Sequence, residues 1–157
     1  MSFERHLHNE FGRSDRAQAL LRKCMERLTA AINYDGGTLL PSVQAAERLS
    51  VRPDAIMTML MTRDLFALVG SADDHLGRNP GIPSWLIHNG QPLPGIPAIL
   101  DRLATNENDH HLRAVCFFAE ANELLGGRTP VECLRDGLVE QVCFAAGEWS
   151  MPKGNGG

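Results

Sequence analysis

The chain predicts a mainly α-helical protein with one small β-hairpin. Three observations lead there. A stripe of apolar residues at helical spacing runs from Ala17 to Ile32. A short helical run after Ser42, a turn at Leu49–Val51 and a second helix opening at Arg52-Pro53-Asp54 lead into the strand-like Leu65-Phe66-Ala67-Leu68-Val69. The stretch from Leu124 to Gly137 reads as a helix end, a glycine turn and a capped helix start. The 157 residues suit one ordinary domain or two small ones, and 43% apolar content is that of a folded chain.

Each element has a local reason. Residues 1–13 are polar, with Phe3, Leu7 and Phe11 at four-residue steps. Ser14 or Asp15 caps the first long helix. Its apolar face is Ala17, Leu20, Leu21, Cys24, Met25, Leu28, Ala31 and Ile32, and Arg16, Arg22, Lys23, Glu26 and Arg27 lie opposite. Such a stripe packs on its own domain or serves as a dimer seam. Ala45 and Ala46 are small enough for a second helix to cross closely. Ala55, Ile56, Met59 and Leu60 give that second helix its buried face. Arg52, Asp54, Met57, Thr58, Met61 and Arg63 give its exposed face. Leu65–Val69 and Arg78–Ile82 form the expected hairpin. Gly90, Pro92, Pro94, Gly95 and Pro97 mark 89–97 as a linker. Pro97 opens a helix over Ala98–Ala104, and Asn108 or Asp109 caps the next. Thr129 is an N-cap, Pro130 a first helical residue and Glu132 the third position of a capping box. The tail 150–157 is rich in glycine and is expected to be mobile.

Two runs resemble known families. Leu40 to Val51, the helix opened by Pro53 and the hairpin around Gly81-Ile82-Pro83 resemble an excisionase- or MerR-like winged helix-turn-helix. His111 to Trp149 resembles the toxin-binding domain of Xre/MbcA/ParS-type antitoxins. The matching residues are Asn122, Gly126-Gly127-Arg128-Thr129-Pro130, Leu134, Gly137, Glu140, Val142 and Ala145-Ala146. Phe118 and Ala119 depart from the tryptophan-leucine pair that this family often carries. The implied organisation is an N-terminal helical segment at 1–36, a winged helix-turn-helix at 38–88, the linker at 89–97, a helical toxin-binding-like domain at 98–149 and the tail.

The resemblance implies a protein that neutralises a RES-domain toxin, an enzyme that consumes NAD, by packing over its active site. It also implies operator binding as a homodimer. No cofactor is implied for this chain. Gly126, Gly127, Arg128 and Trp149 would meet the toxin, and Arg52, Thr58, Arg63 and Arg78 would meet DNA. A guanidinium such as that of Arg128 can grip a carboxylate in two places. Arg128 is equally suited to bind carbonyls at its own helix end, and Trp149 to close a small core. Two other readings use the same residues: a transcription regulator with no toxin, and an adaptor that binds no DNA.

Charge bears on these alternatives. Residues 101–157 carry five Lys/Arg against nine Asp/Glu, so the net charge of −4 arises entirely there. A typical nucleic-acid binder is basic. Asp54, Asp73 and Asp74 in the helix-turn-helix and wing would repel phosphate.

The chemistry of catalysis is not written in the chain. Gly36-Gly37 lacks a following Lys-Ser/Thr, and no glycine-x-serine-x-glycine elbow occurs. Glu120 and Glu123 have the spacing of a solvated helix face. Cys24, Cys116, Cys133 and Cys143 form no CxxC pair and read as buried free thiols. His6, His8, His110 and His111 lack metal-ligand spacing with them. No signal peptide or membrane span is visible, so the expected location is the cytoplasm.

Overall fold

The computed structural model describes residues 15–68, 81–103 and 112–149. Expectations for the N-terminal segment to Ser14, for the wing from Val69 to Pro80 with Arg78, for the caps and histidines at 104–111 and for the tail 150–157 lie outside them. The described residues form seven α-helices and two small antiparallel sheets.

Helix α1 (Asp15–Ile32) buries Leu28 and Ala31, while Leu20 and Cys24 stay exposed. The expected stripe is therefore divided. Its C-terminal half belongs to the protein's own core. A 3₁₀ turn (Tyr34–Gly36) leads to β1 (Leu39–Leu40). Helix α2 (Ser42–Leu49) and helix α3 (Pro53–Met61) follow, joined through Ser50 at φ 56°. Ala45, Ala46, Leu49 and Ile56 are buried between them, so the small residues do admit a close crossing.

Strand β2 (Ile82–Pro83) pairs with β1, with Leu40 opposite Ile82 and Leu39 opposite Pro83. Thr38 and Ser84 extend the pairing: Ser84 N–H donates to the Thr38 carbonyl (2.8 Å), and Thr38 N–H donates to Ser84 Oγ (3.0 Å). Leu68 and Gly81 exchange both backbone hydrogen bonds, 2.8 and 3.0 Å. Only this one bridge, rather than a strand over Leu65–Val69, appears among the described residues of that segment. Leu65, Phe66 and Ala67 are instead buried as irregular backbone.

Residues 89–97 differ from the linker expectation. Strands β3 (Ile87–His88) and β4 (Gln91–Pro92) form a hairpin around Asn89-Gly90. Both turn residues have positive φ, 54° and 73°, as a tight hairpin turn requires. Leu93 N–H donates to the Leu86 carbonyl, and Leu93 and Ile96 are buried. Helix α4 runs over Ile96–Leu103, starting two residues earlier than expected.

Helix α5 (Leu112–Ala119) is buried on almost every side, from Ala114 to Ala119. A 3₁₀ turn (Glu123–Leu125), α6 (Pro130–Arg135) and α7 (Val139–Glu148) complete the chain. Helix α1 packs on α5 and α4 packs on α7. The buried residues of all these elements form one cluster. Its aromatic spine runs from Phe66 and Trp85 through Phe118 and Phe117 to Trp149, with successive ring centroids 5.6–6.2 Å apart. Trp85 Nε1 donates to the Ala31 carbonyl at 3.0 Å, so this spine also fixes the end of α1.

Candidate functional site

The corner from Asn122 to Pro130 is closed by its own backbone. Asn122 N–H donates to the Arg128 carbonyl (3.0 Å), and the Asn122 carbonyl accepts from Leu125 and Gly127 (both 3.0 Å). The Asn122 side chain accepts from Leu124 N–H at 2.8 Å. Gly126 and Gly127 sit at φ 70° and 85°, which L-residues with a Cβ adopt only under strain. The capping box is complete. Glu132 N–H donates to Thr129 Oγ1, and Thr129 N–H donates to Glu132 Oε1, each at 3.1 Å. Thr129 O–H also donates to Glu132 Oε1, so the 2.8 Å contact with Tyr34 is Tyr34 O–H donating to Thr129. These donors hold the Glu132 carboxyl below its ordinary value, with the Thr129 backbone N–H as the largest cause.

Arg128 turns back along α6. Its Nη2 donates to Asp136 Oδ2 at 2.6 Å and to the Glu132 carbonyl at 3.3 Å. The guanidinium, partly open to solvent, therefore ties the glycine turn to the end of its own helix.

Trp149 lies across the corner from Asn122. Its ring packs edge-on against Phe117 at 5.6 Å, and the Arg113 guanidinium stands 5.7 Å from its centroid. Together with Ala121, Asn122, Glu123, Leu124, Ala145 and Glu148 it lines an open cleft of about 260 Å³. The lining residue Leu124 is 56% exposed, and Phe144, which precedes Ala145 on α7, is 61% exposed. The structure thus brings Trp149 to the 121–124 loop and turns Arg128 toward Asp136. Leu124, Glu123, Glu148 and Phe144 were missed from sequence. Glu123 and Glu148 are 25 positions apart, and no periodicity links them.

The first helix pair offers a different surface. Arg52 is 86% exposed but pairs with Asp54 at 3.4 Å. Arg63, at φ 65°, is paired with Asp101 on α4 and does not project from α3. Thr58 is exposed beside Met57 and Met61, the latter 80% exposed. The presented surface of α3 is more apolar than basic.

Among the thiols, Cys116 and Cys133 are buried, Cys143 is half-buried and Cys24 is exposed, which departs from the expectation of four buried thiols. Burial pushes Cys116 up to about 11, so it stays protonated at neutral pH. Among the described residues, no group of His, Cys, Asp and Glu is placed to hold a metal ion. No described helix is long and apolar enough to cross a membrane. No family model, curated protein or solved structure matches the chain.

Proposed function

We propose that this protein is an antitoxin-like binder that neutralises a partner toxin through the surface around the Asn122–Pro130 corner. The observation that carries the reading is the corner's geometry: a self-bonded glycine turn and a complete capping box beside an open cleft, with Trp149 and Leu124 at its edge. Aromatic and apolar side chains at a rigid, solvent-facing site are the usual anchors of protein interfaces. Inhibition of this kind is steric and needs no chemistry from the antitoxin. By resemblance the toxin is of the RES type and consumes NAD. In this reading Gly126 and Gly127 shape the loop, Arg128 braces it and Trp149 supplies an anchor.

The N-terminal half is proposed to be a winged helix-turn-helix that binds the operon's operator as a homodimer. The order β1, α2, α3, the Leu68 bridge and β2 supports that topology, with Gly81–Pro83 between its two neighbours. A second reading is favoured by a specific observation. Met57 and Met61 face solvent, and Arg52 and Arg63 each have a carboxylate partner. This supports an adaptor that uses α3 for protein contacts.

The test is co-expression with the product of the adjoining reading frame, followed by an assay of NAD consumption. A stoichiometric complex and a block of NAD loss are expected. Recovery of the chain alone, with NAD loss undiminished, would overturn the proposal. Operator binding is tested with Arg52→Ala, because Arg63→Ala would also break the contact to α4.

A further inference from the structure

We infer that the cleft between the 121–124 loop and the end of α7 is a socket for one arginine side chain displayed by a protein partner. The inference rests on the antitoxin-like reading for the partner's identity; the chemistry of the socket is argued from its walls.

Size sets the first limit. At about 260 Å³ the cleft lies below the ~300–1,000 Å³ of small-molecule sites. It has room for one long side chain, not for a dinucleotide or a helix.

The lining sets the second. Ala121, Leu124, Ala145 and Trp149 are apolar, and Glu123 and Glu148 add two carboxylates. Neither glutamate belongs to an ion pair among the described residues. The amide oxygen of Asn122 accepts one hydrogen bond from Leu124 N–H. Among the described residues, no cation lines the cleft. Arg113 meets the Trp149 ring but is not one of the lining residues.

These features select the occupant. Two carboxylates repel phosphate, which excludes a nucleic-acid backbone. The group wanted is cationic at its tip and able to lie against an indole. Arginine satisfies both, because its planar fork stacks on aromatic faces and bonds carboxylates in pairs, whereas lysine is a strongly hydrated point charge. Arg113 already stands 5.7 Å from the centroid of this indole, so the ring accommodates a guanidinium nearby. Exposed Leu124 and Phe144 would receive apolar residues flanking the arginine. The negative balance of the C-terminal third adds long-range attraction to a basic partner.

The experiment titrates the ¹⁵N-labelled full chain with the capped tripeptide leucine-arginine-leucine. The controls are the same peptide with citrulline, which has the shape without the charge, and with lysine. Amide shifts at millimolar peptide are expected to centre on residues 121–124 and 145–149. Binding should weaken by about tenfold or more with citrulline or with Glu123→Gln plus Glu148→Gln, and less with lysine. An otherwise unchanged spectrum shows that the variant is folded. Equal binding of citrulline, shifts centred elsewhere, or no shifts at all would overturn the socket. The two proposals also separate. Toxin neutralisation that survives both Glu→Gln changes removes the socket and keeps the function. Arginine binding without any toxin neutralisation does the reverse.

Discussion

Arg27 and Glu120, ninety-three positions apart, form a two-pronged ion pair, with Nε to Oε2 at 2.5 Å and Nη2 to Oε1 at 2.6 Å. The pair links α1 to the residue that follows α5. Further along, Tyr34 meets Thr129 and Asp35 meets Arg135, so the two stretches of chain run side by side in the same direction. Both members are about two-thirds buried, and the hydrogen bonds that Arg27 donates to Glu120 raise the Arg27 pKa above its ordinary value.

The first prediction concerns that pair. Glu120→Gln leaves the partly buried guanidinium without its countercharge and should lower stability by about 1–3 kcal/mol in urea unfolding. Arg27→Met combined with Glu120→Gln removes both charges and should recover much of the loss, because the uncompensated charge is the main penalty. Strictly additive losses in this double-mutant cycle would mean that the two residues act independently.

A second prediction contrasts two glycines. A Cβ on Gly95, at φ 80°, would lie 2.5 Å from Val139 Cγ1, on the seam between α4 and α7. A Cβ on Gly127, at φ 85°, would meet nothing within 4 Å. Gly127→Ala should therefore show only backbone strain, about 1–2 kcal/mol. Gly95→Ala adds an overpacking penalty of about 1–3 kcal/mol. Val139→Ala in the Gly95→Ala background should recover part of it. No recovery in thermal unfolding would locate the damage elsewhere.

The capping box supplies a third. Thr129→Ala removes the acceptor of Glu132 N–H and the partner of Tyr34 O–H, and should destabilise by about 1–2 kcal/mol.

The same box gives a pH dependence. The Glu132 carboxyl is depressed in the folded protein, so its contribution is fully present above the unfolded value near 4.5 and fades as pH falls through the lower folded value. The carboxylate is largely exposed, and solvent screening keeps the effect small. Glu132→Gln should flatten the acid limb of the stability curve below about pH 4.5. An unchanged acid limb in that variant would assign the acid sensitivity to other carboxylates.

Legibility from sequence followed the range of the interactions. Thr129, Pro130 and Glu132 could be read because a cap is completed within four residues. The positive φ of Gly126 and Gly127 could be read for the same reason. The hairpin at Asn89-Gly90 carries a known turn signal, but three nearby prolines gave the segment the composition of a linker. The burial of Leu93 and Ile96, which decides the matter, comes from distant elements. Arg63 looked free because its partner Asp101 is thirty-eight positions away. The cleft was invisible because it exists only where the 121–124 loop docks on α7.

The closure of the corner on itself has a consequence for how a partner is met. Asn122, Gly127 and Arg128 already hold one another through the main chain, so the loop has little conformational freedom left to lose. A partner would find a finished template and would avoid the entropy of ordering a floppy segment. Its association should therefore behave as the docking of two rigid surfaces: a modest heat-capacity change set by the contact area alone, and mutations that act on the dissociation rate more than on the rate of encounter.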